Sequence, residues 1–365
     1  MSRIAIIDTA IDPGRIGGKS IEYIDLTTEP DDADGGEASH GDMCAMILNH
    51  CAGTEYELIN IRILDHAGGH GSKAFGEIEN LAKALALCIE LKADVVSLSA
   101  VSSILSDSKR LYGVTLELAE RAVIVSSLDN SRYMTLPTGY PHVVGVRADR
   151  SGLLQPGGIA YKADDPFGAN IYANCDFAFL RELGRRPSNS FAVPVAAAYA
   201  SDLLYKGRTA KQVRSDMGEL PPYPDDEGDG SQVQPPAPEG GIPVVFIADR
   251  SADACLLLMD ALFDRHGVQS SALSLAEGAY DVRVRRIGGP AGLMEGLRFM
   301  ERHYKTDLIF ITGAVSLPEG VRRNAEIDVD IHKQRDGTTA LEYEGEREEV
   351  PDEQAADRLH DILAG

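Results

Sequence analysis

Ser190 stands where a small polar cluster, Pro187-Ser188-Asn189-Ser190, breaks into the apolar run Phe191-Ala192-Val193-Pro194-Val195-Ala196-Ala197-Ala198-Tyr199-Ala200. That change predicts a buried helix beginning at the cluster. Pro194 would fall in its first turns, where a missing N–H does least harm. A serine at a helix start lies beside unpaired backbone N–H groups and the positive end of the helix dipole, which suits a nucleophile whose attack creates an oxyanion. The same serine would also serve as the N-cap of a core helix, so its chemistry depends on partners elsewhere. Asp8 closes the apolar run Ile4-Ala5-Ile6-Ile7. It therefore sits at the carboxyl end of a buried parallel strand, where functional side chains gather in open α/β sheets, although a lone Asp there also makes turns. His40 lies in Ser39-His40-Gly41-Asp42, just before the apolar-periodic residues 43–48, and Asn130 follows the strand expected over 122–127.

The elements that must position these residues can be read in order. Strands are expected over 4–7, 57–64, 94–99, 122–127 and 143–146. Helices are expected from 43, over 78–91 and 112–121, and from the Ser190 cluster onward. Strand and helix alternating at short spacing predict an α/β fold, a parallel sheet with right-handed crossovers and helices on both faces. The loop 65–71 carries His66 and His70, but no carboxylate–histidine spacing supports a metal there, and it reads as a surface loop.

Four stretches together resemble the subtilisin family of serine peptidases over residues 3 to about 210. Ile6-Ile7-Asp8-Thr9-Ala10 resembles the family's Asp-Thr/Ser-Gly motif, and Ser39-His40-Gly41-Asp42-Met43-Cys44-Ala45-Met46-Ile47 its His-Gly-Thr-x-Val-Ala-Gly-Ile motif. Ser188-Asn189-Ser190-Phe191-Ala192-Val193-Pro194 resembles Gly-Thr-Ser-Met-Ala-Ala-Pro. Asn130 falls where the family keeps an oxyanion asparagine, and the segment 140–146 resembles the one that follows it. Each motif is weak alone; four in the family's order and at its separations are specific.

The resemblance implies a three-layer subtilisin-like domain and an Asp-His-Ser triad. His40 would take the Ser190 proton and return it to the leaving amine, and Asp8 would hold the imidazole in its tautomer. The Asn130 amide and the Ser190 N–H would bind the oxyanion. Ser97, Leu98, Ser99 and Asp129 fall where the walls of the substrate cleft are expected. Ala10, Asp42, Ser188, Asn189 and Asp129 depart from the family pattern, yet none removes a catalytic group. Asp42 is expected to place a negative charge near His40 and favour the imidazolium. With Asp129, the acidic stretch 29–39 points to basic side chains near the scissile bond. The expectation is a serine endopeptidase of narrow specificity, such as one that matures a precursor peptide by leader removal, with no cofactor and no metal. The alternative is a catalytically silent or gated peptide-binding module on the same fold.

Composition bounds the rest. A formal charge of −22 argues against nucleic acid as a partner. The five cysteines are scattered and odd in number, which fits reduced core residues better than a disulfide framework. Met1-Ser2-Arg3 leads straight into the first strand with no leader pattern, and nothing approaches the roughly 18 apolar residues that cross a bilayer. A cytoplasmic protein acting on a peptide or protein, without a membrane, is expected. Residues 219–241 hold six prolines among acidic and small residues, a linker pattern between a peptidase domain over 1–218 and a small α/β domain over 242–365. In the latter, Asp336-Gly337 between two β-prone runs signals a hairpin. Ile287-Gly288-Gly289-Pro290 lacks a Lys-Ser/Thr ending and reads as a turn before a helix, so a phosphate site is not expected. Architecture alone suggests substrate or partner recognition for this domain.

Overall fold

A computed structural model of the chain describes residues 1–28, 37–64, 76–131, 133–163, 165–224, 241–276, 280–334 and 336–364. The chain divides into two compact units, residues 1–102 with 107–233, and residues 103–106 with 234–365. Both are mixed α/β structures built on parallel-dominated sheets flanked by helices.

In the first unit the elements follow as β1 (Ser2–Asp8), β2 (Ile21–Asp25), α1 (His40–Cys51), β3 (Tyr56–Arg62), α2 (Ile78–Glu90), β4 (Val95–Leu98) and α3 (Ser108–Ala119). Then come β5 (Val123–Ser127), β6 (Val144–Ala148), β7 (Ile159–Tyr161), β8 (Ile171–Ala173), α4 (Ala178–Glu182), α5 (Asn189–Tyr205) and α6 (Ala210–Gly218). Among the described residues eight strands pair in the order β2-β3-β1-β4-β5-β6-β8-β7, and only the β7–β8 pair is antiparallel. The chain leaves β1 for one side of the sheet and returns to β4 on the other. The carboxyl end of β1 is thus a switch point, and Asp8 is its last residue.

Burial explains the run that forms β1. Ile4 and Ile6 join a cluster with α1, α5, Val95, Val123 and Val125, while the alternating Ala5 and Ile7 are as deeply buried on the opposite face. α2 and α3 pack on each other and against β1 and β5. Strands covered on both faces read as continuous apolar runs, which is why these were legible. α5 is apolar on every side and runs buried through this cluster. The strands that sequence periodicity missed are β2, whose exposed edge mixes charge with apolar residues, and β7 and β8, each of three residues.

The second unit contains β9 (Val244–Ala248), α7 (Asp253–His266), β10 (Ser270–Ser274), β11 (Val284–Arg286), α8 (Leu293–His303), β12 (Leu308–Ala314), α9 (Glu319–Asn324), β13 (Val329–Lys333), β14 (Thr338–Tyr343), β15 (Glu346–Pro351) and α10 (Ala355–Ala364). Its strand order is β11-β10-β12-β9-β13-β14-β15. The hairpin signalled by Asp336-Gly337 is present, with β13 antiparallel to β14 and Gly337 at a φ of 84°. Pro290 opens a short 3-10 turn into α8, as the turn reading requires. β10 and β15 escaped the pattern for opposite reasons: one is buried yet serine-rich, the other a charged edge strand. Of the stretch read as a linker, 225–240 lies outside the described residues. Pro221 and Tyr223 bond Tyr161 at the edge of the first sheet, so the stretch begins by extending that unit.

Candidate active site

His40 is the first residue of α1, and the local sequence fixes it closely. Ser39 caps the helix: its Oγ accepts the Asp42 N–H at 2.9 Å, while Asp42 Oδ2 accepts the Ser39 N–H at 2.8 Å, a complete capping box. The same two side chains sew the helix to the loop after β1. Ser39 Oγ donates to the Ala10 carbonyl at 2.7 Å, and Asp42 Oδ1 accepts the Asp12 N–H at 2.7 Å. Gly41 donates its N–H to Thr9 Oγ1 at 2.8 Å, and a Cβ there would lie 2.5 Å from the Thr9 carbonyl oxygen. Only glycine lets the helix approach β1 this closely. Asp42 also faces Arg15 at 3.3 Å. Its charge is spent on the helix start and Arg15, which corrects the expectation that it acts on His40.

Asp8 has no exposed surface. Its Oδ1 accepts the Thr9 N–H at 2.8 Å, and its two oxygens lie 2.9 and 2.8 Å from His40 Nδ1. His40 Nε2 lies 3.0 Å from Ser190 Oγ. Three elements that meet only through the fold thus form one hydrogen-bonded chain. Burial of the imidazole opposes its charging, but the Asp8 carboxylate and Cys44 outweigh this and hold His40 well above the ordinary histidine range. Cys44, one helical turn on from His40, puts its Sγ 3.7 Å from His40 Nδ1 and 3.8 Å from Asp8 Oδ2; burial pushes its own thiol up. Phe191 stacks on the His40 ring with centroids 5.1 Å apart.

Ser190 is the second residue of α5, half-buried, and its N–H belongs to the first turn, where no carbonyl of the helix can accept it. Ser188 caps the helix and brings its Oγ to 2.9 Å from Ser190 Oγ. Asn189, one of the departures from the family pattern, is a clamp. Its Oδ1 accepts the Ala148 N–H at 3.0 Å, and its Nδ2 donates to the carbonyls of Leu128 and Asp129 at 3.0 and 3.3 Å. The start of α5 is thereby tied to the ends of β5 and β6. Asn130 is exposed beside this clamp, its Oδ1 accepting the Asn189 N–H at 3.2 Å and Arg150 Nη2 at 2.7 Å.

Two sequence expectations change here. Pro194 is the sixth residue of α5, beyond the turn whose N–H groups are free, so it deprives the Ser190 carbonyl of a helical donor. The Ser99 hydroxyl supplies that bond at 3.2 Å. Ser99 therefore acts on the backbone of Ser190. Ser97 and Leu98 are 1% and 0% exposed within β4 and cannot form a cleft wall with their side chains. Asp129 is half-buried at the clamp. Most of the acidic stretch behind the expected basic preference (29–36), and the histidine loop (65–71), lie outside the described residues.

Among the described residues, Asp8, His40 and Cys44 are the one group of three side chains whose donor atoms converge as a metal site would, within 4.8 Å. They are already bonded to one another. No helix of the described residues is long and apolar enough to cross a membrane. Cys44, Phe191, Ser188 and Arg150 were not singled out as site residues. The i to i+4 spacing of His40 and Cys44 was the available signal for the first.

No protein-family model matches the chain, and no curated protein sequence does. Solved structures are similar. A lanthipeptide protease shares 17% identity over 59% of this chain and 78% of its own, with a TM-score of 0.44. The epidermin leader peptide processing serine protease of Staphylococcus aureus shares 14% over 59% and 68%, with a TM-score of 0.42. The prenylagaramide maturation protease PagA shares 13% over 59% and 81%, with a TM-score of 0.38.

Proposed function

We propose that the chain is a serine endopeptidase of the subtilisin kind, with Ser190 as nucleophile, His40 as general base and acid, Asp8 as orienting carboxylate, and Asn130 with the Ser190 N–H as oxyanion donors. The observation that carries this is the continuous chain from the buried Asp8 through His40 Nδ1 and Nε2 to Ser190 Oγ. Ser190 Oγ would attack the scissile carbonyl carbon as its proton passes to His40 Nε2. The oxyanion collapses, the C–N bond breaks, and the same proton leaves with the amine. Water then attacks the acyl-serine through His40, releasing the acid and restoring the hydroxyl. Asp8 keeps its charge throughout and stabilises the imidazolium.

The five free cysteines, four of them buried, suit a reducing compartment, and we place the enzyme in the cytoplasm. An unselective endopeptidase there would degrade its neighbours, so the substrate we propose is a precursor peptide or protein cut at one place, as in leader removal. Intact-mass analysis after treatment with a fluorophosphonate tests the core of this. One adduct on the parent, absent from Ser190→Ala and His40→Ala, is expected. A folded parent that takes up no adduct would overturn the assignment.

A further inference from the structure

Arg150 lies two residues beyond β6, on the segment whose Ala148 N–H is held by the Asn189 clamp. Its guanidinium is exposed and, among the described residues, meets no carboxylate, although the chain carries a formal charge of −22. It donates instead from Nη2 to Asn130 Oδ1 at 2.7 Å. That oxygen also accepts the Asn189 N–H at 3.2 Å.

An asparagine amide on a surface turns freely about its last torsion, and an oxyanion donor that must first turn loses much of its advantage. Two donors on Oδ1 remove that freedom. With the oxygen directed at Asn189 and Arg150, the Nδ2 group faces the other way, and its N–H bonds are left for an acceptor outside the pair. A cation on the carbonyl oxygen also draws electron density from the amide nitrogen, making its N–H groups stronger donors. Nothing in the sequence motifs pointed to this residue.

We propose that Arg150 is a positioning residue for the oxyanion site, orienting and polarising the Asn130 amide without touching the substrate. This rests on the peptidase reading, and the test separates the two. The second-order rate of fluorophosphonate labelling, whose phosphoryl oxygen occupies the oxyanion site, is measured for the parent, Arg150→Met, Arg150→Lys, Asn130→Ala and the Arg150→Met/Asn130→Ala double variant, with folding checked by circular dichroism. Asn130→Ala should slow labelling by about 10²–10³. Arg150→Met should slow it roughly tenfold, the size of one charge-assisted hydrogen bond acting through the amide, and Arg150→Lys should recover most of that. In the Asn130→Ala background, Arg150→Met should have no further effect. An equal loss in both backgrounds would show that Arg150 acts elsewhere and overturn the proposal, as would an Asn130→Ala variant that labels at the parental rate. A parent that does not label removes the peptidase reading itself, and the proposal with it.

Discussion

The site is assembled from two helix starts that solve the same problem differently. α1 presents His40 from a complete capping box, a glycine pressed against β1, and a cap serine that also bonds the loop after the strand. α5 presents Ser190 from a looser start: the Ser188 hydroxyl accepts the Phe191 N–H at 3.4 Å, and Pro194 breaks the ladder above it. The order lacking in the helix comes from bonds that reach across the fold: Asn189, its first residue, bonds the ends of two strands, and Ser99 bonds the Ser190 carbonyl. His40 is held by the side chains of its own capped turn, and Ser190 by bonds borrowed from strands distant in sequence. Changes at α1 should therefore cost both fold and function, while changes around α5 should be separable.

The largest effect is expected where His40 meets Asp8. Asp8→Asn keeps the shape but presents the imidazole with an amide, and kcat should fall by about 10⁴. The pH profile carries the sign. In the proposed mechanism His40 must be neutral to take the Ser190 proton, and its pKa is held high, so parental activity should be lost as pH falls through that raised value. With Asp8 neutralised, burial is left to push His40 down, and the acid limb of kcat/KM should move to lower pH. An unmoved limb would mean that Asp8 does not set the His40 charge.

Gly41→Ala should come next. A Cβ 2.5 Å from the Thr9 carbonyl oxygen forces backbone apart, because neither the strand end nor the capped turn is a flexible side-chain tip. Overpacking of this kind costs about 1–3 kcal/mol, and a displacement near 1 Å of a reacting group costs on the order of 10² in rate. Thermal unfolding and labelling rate should fall together. A variant that keeps its Tm and loses only rate would contradict the view that α1 is held by this close approach.

The same contrast explains what the sequence disclosed. Residues 4–7, 122–125 and the α5 run are legible because burial on all sides leaves an unbroken apolar stretch, and Asp8, His40 and Ser190 each stand at the edge of such a stretch. The supports were not legible. The family resemblance makes Ser99 a cleft wall, and nothing in its neighbours shows that it donates to the carbonyl of Ser190. Asp42 is read by its charge, yet one of its oxygens caps the helix start and the other bonds the loop after β1. Chemistry at the ends of buried elements can be read locally; side chains that bond across 91 residues, as Ser99 does, depend on the topology that brings them together.

The smallest predicted effect is the sharpest probe of the borrowed support. Ser99→Ala removes the donor that replaces the missing Pro194 N–H, leaving the Ser190 carbonyl without a donor from either source. It should cost about 1 kcal/mol in stability and a few-fold in labelling rate, the scale of one neutral hydrogen bond. Pro194→Ala returns a backbone N–H at the position four residues beyond Ser190, so the helix can satisfy that carbonyl itself. In the Pro194→Ala background, Ser99→Ala should therefore cost much less, in urea midpoint and in labelling rate alike. Because each variant is referred to its own background, any loss of packing around the replaced proline cancels from the comparison. Equal costs in the two backgrounds would mean that Ser99 supports the nucleophile through something other than this carbonyl, and that the break in α5 needs no outside repair.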